Sequence, residues 1–266
     1  MKIPPSEEQE LGVCCADFYN HPVVVKLLDG IFHPGGLALS NLMAEKMDLN
    51  SSSRVLDIAC GDGMTGTYIA KKFSCHVAGI DAGENMINIA KQRAQQMRVS
   101  DSTQFKIGFA GAIPFPDEHF TAAYSECAVC TFQAKDKAVL ETARVLDARG
   151  ILGINDVVIK NHDDIDDELK GIIGRVACIA GALSSDGYVQ LFDQGGFSHR
   201  ETSNHTDLLE QMVDKAHRRA QMGSGIEEAL SETANTDDIL RMIGLIKDEI
   251  SSENLGYEMF IFQKSR

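Results

Sequence analysis

The chain has 266 residues, 44% of them apolar, and its 39 acidic against 25 basic side chains give a formal net charge of −14. That length supplies enough apolar surface for a sizeable core, which excludes a disordered or low-complexity polymer. The acidic balance, unrelieved by any Lys/Arg cluster, opposes phosphate backbones and anionic lipid surfaces, so no nucleic-acid partner is expected.

No apolar stretch reaches the roughly 18 to 20 residues of a bilayer span, and the opening MKIPPSEEQE is acidic where a secretion signal is basic and then apolar. The expectation is a cytoplasmic protein without membrane insertion. Seven Cys, an odd count without such a signal, argue for reduced thiols rather than a disulfide framework.

In chain order, the region before residue 50, including FYNHPVVVKLLDGIFHPGG, reads as mostly helical and packed outside a sheet. RVLDIA (54–59) predicts a first strand running into CGDGMTG, with a helix over 67–73 behind it. A second strand follows at 75–81, then a helix at 85–98 with Met86, Ile89, Ala90, Ala94 and Met97 on one face. Strands at 105–110 and 119–126 precede a helix at 135–146 that turns Val139, Leu140, Ala143 and Leu146 inward, and 151–159 is a fifth strand. This alternation is the signature of a parallel sheet wound by crossover helices.

Beyond it, an acidic loop at 161–168, read as a solvated helix entrance, leads into a predicted helix at 167–183, and a strand is expected at 197–202. Asp207 with Glu210 resembles a capping box, behind which Leu208, Leu209, Met212, Val213 and Ala216 form an apolar stripe. A helix at 236–250 and a strand at 256–264 close the chain. The expected fold is α/β: a doubly wound, mostly parallel seven-stranded sheet. Residues 1–50 form a helical cover, 51–160 a cofactor-binding core, and 161–266 the completion of the sheet with a helical lid and acceptor region, all in one structural domain.

Gly61, Gly63 and Gly66 satisfy G-x-G-x-x-G between a predicted strand and helix, where glycines permit a tight turn and close approach of backbone amides to a ligand. Asp81 ends the second strand, where a carboxylate can accept both hydroxyls of a ribose. Together they indicate a nucleoside-containing cofactor. Asp57 chooses between two of these. An acid beside the loop opposes the pyrophosphate of a dinucleotide but suits the ammonium of S-adenosylmethionine, whose carboxylate is left to the loop amides.

VLDIACGDGMTG resembles motif I of class I S-adenosylmethionine-dependent methyltransferases, and GIDAGENMINIAKQRA resembles the acidic-strand motif that follows it. AIPFPDEHF and LETARVLDARGILGINDV resemble the later landmarks, so the likeness spans about residues 52–160. It is closest to the broad group that includes quinone-biosynthesis C-methyltransferases and arsenite methyltransferases. The resemblance implies a Rossmann-like fold using S-adenosyl-L-methionine. It sets Asp57, Ala59, Cys60, Gly61 and Gly63 around the methionine end, Asp81 at the ribose, Ala82 and Met86 near the adenosine, Phe109 and Ala110 beside the adenine, and Glu126 with Cys127 at the floor near the reacting methyl. Three positions depart from the pattern: Ala59 stands where Gly is common, Phe109 where many relatives have Asp, and Thr121 where Asp is usual.

The expected acceptor is a small molecule, and a homodimer is compatible with the sequence. Tyr19 is a candidate contact for the cofactor carboxylate, His33 a candidate base, and Glu126 a candidate base or cofactor contact. Cys127 and Cys130 form a C-x-x-C after the fourth strand, and with Cys14, Cys15 and Cys60 they would suit arsenite or another thiophilic acceptor. The bland reading makes Cys60, Cys127, Cys130 and Cys178 small core residues. No metal site is expected, because the C-x-x-C has no second pair at a suitable spacing. A nicotinamide-dependent oxidoreductase and a cofactor-binding protein without catalysis are the alternatives from other classes.

Overall fold

The computed structural model describes residues 22–171, 174, 178–222 and 236–265. Helices α1 (Pro22–Leu28) and α2 (Gly36–Lys46) precede the sheet. Then come β1 (Arg54–Ile58), α3 (Met64–Phe73), β2 (His76–Asp81), α4 (Glu84–Met97), β3 (Thr103–Ile107), β4 (Phe120–Glu126), α5 (Lys135–Val145) and β5 (Leu146–Ile159). The rest comprises α6 (Asp167–Lys170), α7 (Ser185–Gln194), β6 (Phe197–Asn204), α8 (Thr206–Met222), α9 (Thr236–Ser251) and β7 (Leu255–Lys264).

The seven strands lie in the order β3-β2-β1-β4-β5-β7-β6. β3, β2, β1, β4 and β5 pair in parallel, while β7 runs antiparallel to both β5 and β6. The mostly parallel, doubly wound sheet expected from the sequence is therefore present. The parallel strands are apolar on both faces because helices cover both. On β1, Val55 joins the core under α2, α3, α4, α8 and α9, while Leu56 and Ile58 join the core under α5 and α7. The chain leaves β1 toward β2 on one side and reaches β4 on the other, which places the topological switch point, the usual ligand crevice of such sheets, between β1 and β4.

Several element expectations need correction. The predicted helix at 167–183 is not continuous: α6 stops at Lys170 with Gly171 outside it, Gly174 is again helical, and Leu183 instead bridges Val158 beside the sheet. Its carbonyl accepts from the Ile159 amide at 3.0 Å, a tertiary pairing that overrides the helical pattern. Helix α7, unforeseen, starts behind Ser184, whose hydroxyl accepts from the Gly187 amide. On α5 the buried face is Ala138, Val139, Thr142 and Val145. Thr142 takes an inward place because its hydroxyl is satisfied by the Ala138 carbonyl at 2.8 Å, which leaves Leu140 60% exposed. On α4, Ile87 rather than Ile89 is buried. Strand β5 begins at Leu146, ahead of the expected 151, because residues 147–150 bulge out of the pairing with β4. Strand β3 stops at Ile107, short of Ala110. Asp207 lies inside α8, and the side chain turned to that helix start is Asn204, which accepts from the Thr206 amide.

Thr121, where Asp is usual, accepts from the Arg54 amide at 3.0 Å and so supports the β1–β4 edge rather than any chemistry.

Phe262 is fully buried, with its ring centroid 4.7 Å from that of Phe192. Phe262→Ala should therefore lower unfolding free energy by about 3–5 kcal/mol in urea titrations. Leu140→Ala should stay within about 0.5 kcal/mol of the parent chain, as expected for an exposed position.

Candidate functional site

The ends of β1, β2, β3 and β4 converge beside the switch point. The turn after β1 needs left-handed backbone: Ala59 has φ 62, Gly61 φ 51 and Gly63 φ 73. Glycine adopts this freely, whereas Ala59 carries a steric cost of roughly 1 kcal/mol. At Gly63 a Cβ would stand 2.7 Å from that of Ala90, so this glycine lets α3 start hard against α4.

The turn amides are largely engaged within the protein, contrary to the expectation that they await a carboxylate. Gly61 N donates to Asp81 Oδ2 at 2.9 Å, Gly63 N to the Cys60 carbonyl at 3.0 Å, and Met64 N to Asp62 Oδ1 at 3.0 Å. The other Asp81 oxygen accepts from Gly83 N at 2.8 Å, so Asp81 ties the turn after β1 to the turn after β2. Arg93 of α4 anchors Asp62 through its guanidinium and bonds the Asp62 carbonyl at 3.0 Å.

Two adjoining cavities open at these strand ends. The larger, about 160 Å³, is lined by Ala59, Gly61, Asp81, Ala82, Met86, Phe109, Ala110, Glu126 and Cys127, among others. The smaller, about 80 Å³, is lined by His33, Asp57, Cys60, Asp62 and Thr65 among others, and both share Phe32, Ala59, Gly61 and Glu126.

The walls are strongly acidic. Burial pushes the Asp57 carboxyl well above the ordinary carboxylate range; the Tyr124 hydroxyl, donating to Asp57 Oδ2 at 2.8 Å, partly offsets this, and the charges of Glu126, Asp81 and Asp62 add to it. Asp81 is raised by burial too, with the Gly83 and Gly61 amides pulling back. Glu126 at the end of β4 sits in a ring of donors. Ser40 Oγ reaches Oε1 at 2.9 Å and Oε2 at 3.1 Å, Asn155 Nδ2 reaches Oε1 at 2.9 Å, and Thr65 Oγ1 reaches Oε2 at 2.9 Å. His33 Nε2 lies 3.5 Å from Oε2.

Most sequence-predicted site residues thus meet around one space, with exceptions. Gly63 is absent from the walls of either cavity and serves helix packing. The Cys60 thiol points into the sheet, where a Cβ on Gly79 would meet its sulfur at 2.8 Å. Cys127, in the left-handed region at φ 53, lines the larger cavity, but Cys130 is buried behind it with its amide on Asp156 at 3.1 Å. Cys60 lines the smaller cavity and Cys127 the larger. Cys178 lies beside Cys127: its Sγ approaches the Cys127 carbonyl at 3.1 Å, and hydrogen bonding to it, ahead of burial, raises the Cys127 thiol. Among the described residues, no group of three or more His, Cys, Asp or Glu is arranged to hold a metal ion, and no helix is long and apolar enough to cross a membrane. Tyr19, with Cys14, Cys15 and His21, lies outside the described residues.

Ser40, Thr65 and Asn155 were missed. For Asn155 a signal existed: Asn155 and Asp156 are polar interruptions in an otherwise apolar strand, and both are fully buried.

Residues 49–196 match the methyltransferase domain family, and the chain belongs to it. Relatives include (+)-O-methylkolavelool synthase from Herpetosiphon aurantiacus, 26% identical over 232 residues that cover 85% of this chain and 79% of that protein. The arsenite methyltransferase of Halobacterium salinarum is 28% identical over 164 residues, 60% of this chain but 41% of that protein. Phosphoethanolamine N-methyltransferase 2 of Haemonchus contortus, solved with S-adenosyl-L-methionine, superposes with a TM-score of 0.77 at 18% identity, over 95% of this chain and 60% of that one. The protein is an S-adenosylmethionine-dependent methyltransferase.

Asp156, held by the Cys130 and Val157 amides, is raised by burial and by Cys178 to about 7. A carboxyl raised on folding contributes stability below its ordinary value of 3.8, and that stability is lost as pH rises through about 7. Asp156→Asn should therefore gain thermal stability relative to the parent between pH 5.5 and pH 8, read as the difference in Tm at each pH.

Proposed function

We propose that the larger cavity holds the adenosyl part of S-adenosylmethionine, that the smaller one receives its methionine end, and that a small-molecule acceptor approaches over Glu126. The observation that carries this reading is the acidic wall itself. Asp57, Asp62, Asp81 and Glu126 face two joined cavities, an arrangement that repels a pyrophosphate and suits a ligand bearing an ammonium and a sulfonium.

In this reading Asp81, fixed by the Gly61 and Gly83 amides, presents its remaining lone pairs to the ribose hydroxyls. Asp57 stands by the ammonium, Ala82 and Met86 pack on the adenosine, and Phe109 with Ala110 borders the adenine without the carboxylate that many relatives place there. The sulfonium supplies a methyl group to an in-line nucleophile. Phe32, shared by both cavities, and the surrounding apolar side chains exclude water and hold the reacting partners in line. Asp57→Ala and Asp81→Ala should each weaken S-adenosylhomocysteine binding at least tenfold by calorimetry, about 1.4 kcal/mol. Affinity unchanged in both variants would remove the basis of this assignment.

A second reading is favoured by the thiols. Cys127 lines the larger cavity with Cys178 and Cys130 behind it, a soft surface suited to a thiophilic acceptor such as arsenite. On this reading Cys127→Ser abolishes arsenite-dependent methyl transfer while keeping S-adenosylhomocysteine affinity, and unaltered turnover would end it.

A further inference from the structure

We propose that Ser40 and Asn155 are positioning residues which fix Glu126 against His33, so that His33 Nδ1 accepts the proton of a protic acceptor, an O–H or N–H nucleophile. This rests on the cofactor reading above and adds the chemical class of the acceptor.

Three neutral side chains from three separate elements point their donors at Glu126: Ser40 from α2, Thr65 from α3 and Asn155 from β5. A carboxylate caught this way cannot swing, and the ring of His33, on the loop before α2, faces it with Nε2 at 3.5 Å. A carboxylate opposite one ring nitrogen draws the proton to that nitrogen, and so sets the tautomer. The lone pair is then on Nδ1, which is buried and has no hydrogen-bond partner among the described residues. Asn155 repeats the pattern, since Nδ2 is committed to Glu126 while Oδ1 is buried without a partner. The side chains around Glu126 thus offer lone pairs, and a ligand satisfies them by bringing donors of its own.

Charge balance points the same way. As an acceptor X–H is methylated, the X–CH3 bond forms while the S–CH3 bond breaks, and the X–H proton passes to Nδ1. The positive charge lost at sulfur reappears on the His33 ring beside Glu126, so the carboxylate opposes a cation before and after the step. A metalloid lone pair has no proton to surrender and leaves this pair without a role.

The test uses the full chain with 15N-labelled histidine, saturated with S-adenosylhomocysteine, and long-range 1H–15N NMR, the His33 ring being assigned by its loss in His33→Gln. The expected result is a ring protonated at Nε2 with Nδ1 bare in the parent, and a mixture of tautomers in Ser40→Ala and Asn155→Leu, with S-adenosylhomocysteine affinity held within about twofold. The parent spectrum needs no variant to fold, and a proton on Nδ1 there overturns the proposal; so does a tautomer that ignores both substitutions. In parallel, methyl-labelled S-adenosylmethionine is incubated with a metabolite extract. Label on oxygen or nitrogen, incorporated about 100-fold more slowly by His33→Gln through kcat, supports it. Label on a metalloid or undiminished turnover overturns it. A parent chain that fails to bind S-adenosylhomocysteine brings down the cofactor reading as well, whereas a chain that binds it with the wrong tautomer brings down this proposal alone.

Discussion

The site depends on one constraint: Asp81 must hold the turn after β1 and the turn after β2 at once. Its two oxygens accept from Gly61 N and Gly83 N, and these bonds set the height and spacing of the strand ends that wall the larger cavity. The left-handed residues of the first turn are tolerated because the surroundings fix them: Gly63 lies against Ala90, and Asp62 is tied to Arg93 of α4. The glycine loop is therefore a preformed wall whose own amides are mostly satisfied, rather than an open nest for an anion.

That geometry gathers buried carboxyl groups at the strand ends. Asp57 lies in the protein interior, and burial together with the neighbouring carboxylates makes its ionised form costly. A cationic ligand relieves that cost, which is the physical reason for reading this crevice as a site for a sulfonium cofactor rather than a phosphate-bearing one. Glu126 differs because the protein supplies its partners. Side chains from four separate parts of the chain, Ser40, Thr65, Asn155 and His33, converge on it, so its carboxylate is held in place by the protein itself.

Much of the fold was legible in the chain. Apolar runs such as RVLDI and HVAGID, covered on both faces, give unambiguous strands, and the GDG turn between strand and helix marks the crevice at the strand ends. Tertiary choices were hidden. Leu183 leaves a helical pattern to bridge Val158, and Thr142 displaces Leu140 from the core through a bond to its own helix backbone. At the site, motif residues could be placed from spacing, but the residues around Glu126 could not. Ser40 precedes it by 86 positions and Asn155 follows it by 29, and only the pairing of strand and helix ends brings them together. Among the thiols, Cys60 lines the smaller cavity while its sulfur packs toward Gly79, and Cys178, read as plain core, lies against Cys127.

The most direct measurement is a crystal structure of the chain with S-adenosylhomocysteine. The account predicts the ribose hydroxyls on Asp81, the adenine between Met86 and Phe109, and the amino group on the Asp57 side of the Gly61 turn. A nucleoside lying elsewhere, or one bound in this crevice with its ribose turned away from Asp81, would contradict it.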